Sequence, residues 1–333
     1  MKKNNSNLCK ARKEKNDEFY TRIEDIQREV KHYKKHFAGK VVFCNCDDPF
    51  ESNFFKYFAL NFNVLGLKKL IATCYDGSPI TGEELPLWKD ETDRTAWRAV
   101  ITMDELYDAN GDGAIDEDDV KLMLQKEGAV KKLKGNGSFD SPECLELLKI
   151  ADIVCTNPPF SLFRKFVKIM MEYDKKFLII GNANAVSYKD IFSYIKDNKL
   201  WWGVSPRGMN FIQPDKSLKN INSCWYTNLT HHKRNEEIYL VKTYNEDFYP
   251  KYDEYDAINV NKVDDIPEDY YGIMGVPITF LDKYNPEQFE IVDARTITIN
   301  DKLKHKSTAL IKDGDSSING KAKFARICIR KKK

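Results

Sequence analysis

Residues 152–160 read DIVCTNPPF and join a short apolar strand to a rigid turn. A continuous apolar run of this kind is buried on both faces of a parallel sheet. The two prolines after it remove two backbone donors and fix two φ angles, so the chain turns rigidly where the strand ends. Since a residue before proline is pushed toward extended geometry, the side chain of Asn157 is expected to project from the sheet edge.

Strands and helices alternate on both sides of this unit, across residues 40–204. Predicted strands cover residues 40–46, 68–75, 151–156 and 175–181. Predicted helices cover residues 22–37, 52–62, 144–148, 161–173 and 187–198, with Ser52 as a possible N-cap. The alternation indicates an α/β domain with a mainly parallel sheet, whose ligands bind beyond the carboxyl ends of the strands.

Composition indicates a folded, intracellular protein. The chain has 333 residues, of which 42% are hydrophobic and 12% aromatic, so it can bury a core and is not a disordered chain. The longest apolar runs, such as residues 177–180, are too short for a membrane span, and no secretory signal opens the sequence. The eight cysteines form no CxxC pair, which favours reduced thiols and a cytoplasmic location.

Charge is distributed unevenly along the chain. Residues 76–119 hold 14 acidic and 3 basic side chains, a local charge of −11. Because the net charge of the whole chain is +2, the remaining residues carry +13. Residues 296–333 hold 11 basic side chains against 3 acidic ones. The pattern favours a body that binds a polyanion and carries an acidic insert; a solvated basic surface is the alternative.

The tetrapeptide Asn157-Pro158-Pro159-Phe160 has the groups needed to act on a planar amine. The exocyclic amine of adenine is such a group, and hydrogen-bond acceptors on its N–H groups make its lone pair available. The Asn157 side-chain oxygen and the Pro158 carbonyl can both accept, and Phe160 offers a face for stacking. A strand-ending turn with a core phenylalanine is the alternative interpretation.

This strand and NPPF turn resemble the amino-methyltransferases that use S-adenosylmethionine, whose catalytic motif is [NDS]-PP-[YFW]. More narrowly, the chain resembles the EcoRI-type family of adenine-N6 DNA methyltransferases over nearly its whole length. The stretches that carry the resemblance are DEFYT (17–21), CNCDDP (44–49), SNFFKYFA (52–59), LGLKKLIA (65–72), DIVCTNPPFSLF (152–163), YDKKFLIIGN (173–182), YDAINVNK (255–262), GVPITFL (275–281) and NPEQFE (285–290).

The resemblance implies a fold and an activity. The fold is a Rossmann-like, S-adenosylmethionine-dependent methyltransferase sheet with helices on both faces, in residues 1–204, followed by a DNA-recognition region in residues 205–333. The activity is transfer of a methyl group to adenine N6 in double-stranded DNA, with the target base flipped out. The enzyme would belong to, or derive from, a type II restriction-modification system.

Site residues follow from the same resemblance. Asn157, Pro158, Pro159 and Phe160 match the catalytic motif. The implied cofactor residues form three groups. Phe19, Tyr20 and Thr21 resemble an FxT element, and Asp48, Pro49 and Phe50, with the preceding Asp47, match the start of DPFxGSG. The third group is Asp76 and Ser138. The glycines of DPFxGSG are absent, since residues 52–54 read SNF. Asp76 is equally well explained as an acidic turn residue.

Motif order places the specificity region in the C-terminal part of the chain. Side chains there that can donate to phosphates or base edges are Arg207, Asn210, Lys216, Lys219, Asn222, His231, His232, Lys233 and Arg234. We expect the paired histidines to lie in a solvated loop; the alternative is that they bind a metal ion.

The acidic insert, at about residues 76–134, contains a stretch with the spacing of a calcium loop. Residues 108–119 read DANGDGAIDEDD, and the predicted ligands are Asp108, Asn110, Asp112, Ala114, Asp116 and Asp119. We expect a structural Ca²⁺ there; an acidic glycine turn that caps a helix is the alternative.

Two other functions remain open from the residues. A protein glutamine N-methyltransferase also uses an NPP[YF] motif, and a calcium-dependent DNA-binding module would need no catalysis. The favoured interpretation is a monomer that acts on double-stranded DNA, away from membranes. A cognate restriction endonuclease would recognise the same DNA site as this protein and would not contact the protein.

Overall fold

The computed structural model describes residues 20–76, 96–102, 116–125, 129–213, 217–299 and 310–333. The chain forms two compact units. The first comprises residues 1–183 and 205–229, and the second comprises residues 184–204 and 230–333. Strands and helices are numbered below along the whole chain.

The first unit contains most of the strands and helices. Its strands are β1 (Tyr20–Thr21), β2 (Val41–Cys44), β3 (Lys69–Thr73), β4 (Trp97–Thr102), β5 (Val130–Lys132), β6 (Ile153–Thr156), β7 (Lys176–Asn182), β9 (Met209–Ile212), β10 (Leu218–Ile221) and β11 (Ser223–Thr227). Its helices are α1 (Ile23–Val30), α2 (Lys34–Phe37), α3 (Asn53–Leu60), α4 (Phe62–Leu65), α5 (Glu117–Leu124), α6 (Pro142–Ile150) and α7 (Phe163–Glu172).

The main sheet of this unit runs in the order β5-β4-β3-β2-β6-β7-β11. Strands β3, β2, β6 and β7 are parallel neighbours, whereas β4 is antiparallel to β3 and β11 to β7. The chain moves outward from β2 to β3 in one direction and from β6 to β7 in the other. The boundary between β2 and β6 is therefore the point where the strand order reverses, which is where open α/β sheets bind ligands.

The predicted α/β class is confirmed, and each predicted strand is present: β2, β3 and β6 are shorter than predicted, and β7 is shifted by one residue. The apolar runs are strands because both faces are covered: Phe43, Val154 and Ile179 are fully buried. The helix expected over residues 22–37 is interrupted by a 3-10 turn at Lys31–Tyr33. Strands β4 and β5 lie inside the stretch expected as an acidic insert and were not predicted.

The second unit contains α8 (Lys189–Lys196) and the strands β8 (Trp201–Trp202), β12 (Ile258–Asn259), β13 (Ile273–Pro277), β14 (Phe289–Val292), β15 (Ser317–Ile318), β16 (Lys321–Ala322) and β17 (Arg326–Lys331). Four of these strands form a sheet in the order β12-β13-β17-β14, and β15 and β16 form a hairpin. The sheet is apolar at its centre, where Met274, Val276 and Ile329 are fully buried. Among the helices of the described residues, none is both long enough and apolar enough to cross a membrane.

Candidate active site

The candidate site lies at the carboxyl ends of β2, β3 and β6. Residues 47–50 follow β2, and the NPPF motif at residues 157–160 follows β6. Because β2 and β6 are parallel neighbours, with Phe43 opposite Val154, both loops leave the sheet at the same edge. The site therefore occupies the reversal point of the strand order.

Asp47 connects three loops at this edge. Its backbone N–H donates to the carbonyl of Thr73, at the end of β3, over 2.9 Å. One carboxylate oxygen accepts from the Ser52 hydroxyl at 2.6 Å, and the other accepts from the hydroxyl of Thr156, at the end of β6. Burial raises the pKa of Asp47 to about 7, although these two hydroxyls favour the carboxylate. Both oxygens are thus used inside the protein.

The turn after β2 is shaped by side-chain hydrogen bonds where the DPFxGSG motif has glycines. The carboxylate of Asp48 accepts from the backbone N–H of Phe50 at 2.8 Å and of Glu51 at 3.3 Å. Ser52 is the N-cap of α3, as predicted, and accepts from the Phe54 N–H at 3.1 Å. These bonds fix the turn that contains Pro49 without left-handed glycine conformations.

The FYT element is partly described, because Phe19 lies outside the described residues. Tyr20 and Thr21 form β1, and the Thr21 carbonyl accepts from the Asn53 side chain at 2.8 Å, at the first turn of α3. Within the described part of the chain, the buried Thr21 hydroxyl and the buried Asn45 amide nitrogen have no hydrogen-bond partner. Unpaired buried polar groups beside this edge fit a polar ligand such as S-adenosylmethionine.

A third loop reaches the end of β3. The N–H of Asp76 donates to the carbonyl of Asn136 at 3.0 Å, which holds residues 136–141 beside that strand. Gly137 has a φ of +71°, and a Cβ there would lie 2.0 Å from the Cys74 carbonyl oxygen, so only glycine fits. Ser138, two residues before Asp140, donates its hydroxyl to the Asp140 carboxylate.

Asp140 is a functional candidate that the sequence analysis missed. Its carboxylate forms an ion pair with Lys165 on α7. The Lys165 ammonium and the Ser138 hydroxyl hold the pKa of Asp140 below its usual range. The available signal was an acidic residue two positions after Ser138, in the loop predicted to contact the cofactor.

The NPPF motif presents one aromatic face beside a buried turn. Pro158 is buried, while Asn157 and Phe160 are partly exposed, and the Asn157 side-chain oxygen is buried. The Phe160 ring lies 6.1 Å from that of Phe211 on β9, at an interplanar angle of 86°. This edge-to-face contact fixes the orientation of the Phe160 ring and leaves part of it for a ligand.

The structure brings most of the predicted site residues to this edge. They are Thr21, Asp47, Asp48, Pro49, Phe50, Asp76, Ser138, Asn157, Pro158, Pro159 and Phe160. The predicted calcium ligands Asp108, Asn110, Asp112 and Ala114 lie outside the described residues.

Asp116 and Asp119, the remaining predicted calcium ligands, form a capping box at the start of α5. The Asp116 carboxylate accepts from the N–H of Asp118 at 2.9 Å and of Asp119 at 3.4 Å, and Asp119 accepts from the Asp116 N–H at 2.9 Å. The described residues contain no cluster of histidine, cysteine and carboxylate groups suited to a metal ion. The described residues therefore give the calcium prediction no support. The hydrogen bonds of Asp116 and Asp119 match the alternative, a helix cap.

Three of the predicted DNA donors are used inside the second unit. The His231 Nε2 donates to the Trp202 carbonyl at 2.9 Å, and burial lowers the pKa of His231 to about 4. The buried Arg234 guanidinium lies 4.2 Å from the Trp201 ring centroid, and the Lys233 ammonium donates to the Val204 carbonyl at 2.6 Å. The prediction of a solvated histidine pair is wrong for His231, because that side chain is buried; His232 is exposed.

Comparisons with known proteins show what the whole chain is similar to. The family model described as adenine-specific methyltransferase EcoRI matches residues 7–332. The chain is 44% identical to the type II methyltransferase M.EcoRI of Escherichia coli, over 99% of this chain and 97% of that protein. It is 39% identical to M.MgeORF184P of Mycoplasma genitalium, over 97% of this chain and 98% of that protein, and 39% identical to M.MpnI of Mycoplasma pneumoniae, over 97% of each. No solved structure matches the chain.

Proposed function

The chain belongs to the EcoRI family of adenine-specific methyltransferases, and from this premise we propose how its residues methylate adenine N6 in DNA. As a member of that family it is an adenine-specific DNA methyltransferase of the restriction-modification type and uses S-adenosylmethionine. The protein glutamine methyltransferase considered above finds no support among these relatives.

One observation carries the proposal: the NPPF motif after β6 and the DDPF turn after β2 leave neighbouring parallel strands at the same edge. Methyl transfer requires the attacking amine and the methyl donor to be held close together and in line. Loops from adjacent strands can hold the two reactants in this way without any large rearrangement.

On the DNA side, Asn157 and Phe160 act on the target base. The Asn157 side-chain oxygen and the Pro158 carbonyl accept hydrogen bonds from the N6 amine, which directs its lone pair toward the methyl group. Pro158 and Pro159 fix the backbone on which these acceptors sit. The base is flipped out of the duplex and stacks on the Phe160 ring, since N6 cannot reach a methyl donor inside the helix.

On the cofactor side, S-adenosylmethionine supplies an electrophilic methyl group on its sulfonium sulfur. We assign its binding to the turn of Asp48, Pro49 and Phe50, to the Phe19–Thr21 element and to Asp76 and Ser138. The Thr21 hydroxyl and the Asn45 amide nitrogen, which have no partner among the residues that the structure describes, support this assignment. Asp47 acts indirectly, because its oxygens hold Ser52 and Thr156.

The wider organisation follows the same proposal. The main sheet is a Rossmann-like methyltransferase sheet with helices on both faces, and residues 205–333 recognise the DNA sequence. The enzyme acts as a monomer in the cytoplasm and does not contact any cognate endonuclease. For Ca²⁺ the sequence spacing is the sole support, and the ion has no part in the proposed chemistry.

The decisive experiment maps methylated adenines in the genome of a host that expresses this chain. We expect one short sequence to carry N6-methyladenine at nearly every occurrence, and an Asn157→Ala host to carry none. Labelled methyl groups that appear in protein and not in DNA would instead establish the glutamine methyltransferase.

A further inference from the structure

Strands β1, β9 and β10 form a small sheet whose register lines up three side chains. Phe211 on β9 lies directly opposite Thr21 on β1 and directly opposite Lys219 on β10. Residues directly opposite each other in antiparallel strands project from the same face, with Cβ atoms about 4.5–5.5 Å apart. Thr21, Phe211 and Lys219 therefore form one cross-strand row.

Burial identifies the face from which this row projects. Thr21 is 5% exposed and Phe211 is fully buried, so their face is the inner one. On the other face, Asn220 donates its side-chain amide to the Asn210 oxygen at 2.9 Å, as expected for a directly opposed pair. Lys219 is on the same face as Phe211 but is exposed, on the β10 edge of this sheet.

The same row contacts both halves of the active site. The Thr21 carbonyl accepts from Asn53, next to the cofactor turn. The Phe211 ring contacts the ring of Phe160, on which the target adenine is proposed to stack. Lys219 is one strand further along this row, so an exposed cationic side chain lies next to Phe211, the residue whose ring contacts Phe160.

We propose that Lys219 binds a phosphate of the flipped nucleotide. The inference rests on the proposed function and extends it, since it assigns a backbone contact made only when the target base is in the site. A lysine is suited to this role because it offers a point charge on a flexible stem, and phosphate contacts fix register without reading sequence. Lys219 is thus a positioning residue, while Asn157 and Phe160 act on the base.

The test compares Lys219→Gln with Lys219→Arg and Lys68→Gln. Lys68 is exposed and directly precedes β3, at the amino ends of the parallel strands and away from the candidate site, so it controls for the change in net charge. The dissociation constant for DNA is measured across a salt series on two duplexes, one that contains the sequence that the enzyme methylates and one that lacks it. Each phosphate contact contributes about 0.9 to the slope of log K against log salt.

We expect Lys219→Gln to lower this slope by about 0.9 on the site-containing duplex and to leave it unchanged on the other duplex. Lys219→Arg and Lys68→Gln should keep the wild-type slopes. The KM for DNA should rise in Lys219→Gln, while turnover at saturating DNA stays near the wild-type value.

Two results overturn the inference. An unchanged slope on the site-containing duplex removes the phosphate contact, and an equal loss on both duplexes makes Lys219 a general contact that does not depend on flipping. Unaltered melting and S-adenosylmethionine binding verify that Lys219→Gln is folded. Failure of the proposed function would appear separately, as absence of DNA methylation by the wild-type protein.

Discussion

The carboxylate of Asp47 accepts a hydrogen bond from the hydroxyl of Thr156, the residue directly before Asn157. Its second oxygen accepts from Ser52, the N-cap of α3. One buried side chain therefore connects the proposed cofactor turn after β2 to the NPPF motif after β6. We expect the geometry of both loops to depend on this residue.

Asp47→Asn should lower both stability and turnover. The amide keeps one acceptor oxygen, so the Ser52 and Thr156 hydroxyls cannot both donate as they do now. An unsatisfied buried group costs about 1–3 kcal/mol, which urea unfolding would measure. Thr156→Val should reproduce much of the loss in turnover, whereas Asp313→Asn, at an exposed position, should behave like wild type. Wild-type turnover in Asp47→Asn would contradict the proposed link.

The raised pKa of Asp47 predicts the sign of a stability change with pH. Burial raises this pKa from 3.8 to about 7, so between these values the folded state binds more protons than the unfolded state. The free energy of unfolding should therefore fall as pH rises from about 4 to about 7. Asp47→Asn should lack this component, and its difference from wild type should shrink toward pH 7. A difference that stays nearly constant from about pH 5 to about pH 7 would mean that Asp47 is ionised throughout that range.

Phe160→Ala should weaken base stacking by about 1–3 kcal/mol. The ring is held by its edge-to-face contact with Phe211, so its loss removes a preformed surface. Fluorescence of 2-aminopurine at the target position reports the stacked state of the flipped base, and the variant should change that signal. Phe324→Ala provides a matched control, because Phe324 is 75% exposed in the second unit. Identical signals from wild type and Phe160→Ala would remove the stacking role.

Asp116→Ala should lower stability through the loss of a helix cap. Both Asp116 hydrogen bonds stabilise the first turn of α5, and such caps contribute about 0.5–2 kcal/mol. The decrease in melting temperature should be the same in calcium and in chelator. A wild-type melting temperature that rises with calcium, and a response that Asp108→Ala with Asp112→Ala abolishes, would instead establish a bound ion.

The sequence was sufficient for the α/β class and for the central strands. Runs such as residues 153–156 are apolar throughout, and a proline pair marks where the strand ends, so local pattern determined both features. The position of Asn157 at the sheet edge followed from the same pattern. The cap at Ser52 was predicted for a similar reason, since capping involves residues only a few positions apart.

Other features depend on contacts that local pattern does not contain. Asp47 and Thr156 are 109 positions apart, so their hydrogen bond could not be read from spacing. Strand β4 was missed because the charge of the surrounding stretch suggested an insert, whereas pairing with β3 decides its structure. His231 is buried by packing in the second unit, although a histidine pair among charged residues is typical of a surface loop.

Single-turnover methyl transfer by Asn157→Ala tests the central claim most directly. The measurement uses a duplex with the mapped site and saturating S-adenosylmethionine, and calorimetry gives the cofactor affinity of the same variant. If Asn157 directs the N6 lone pair, the rate should fall by at least about 100-fold, or about 3 kcal/mol, while cofactor affinity stays close to wild type. A variant that retains more than about a tenth of the wild-type rate would show that the NPPF asparagine does not carry the chemistry.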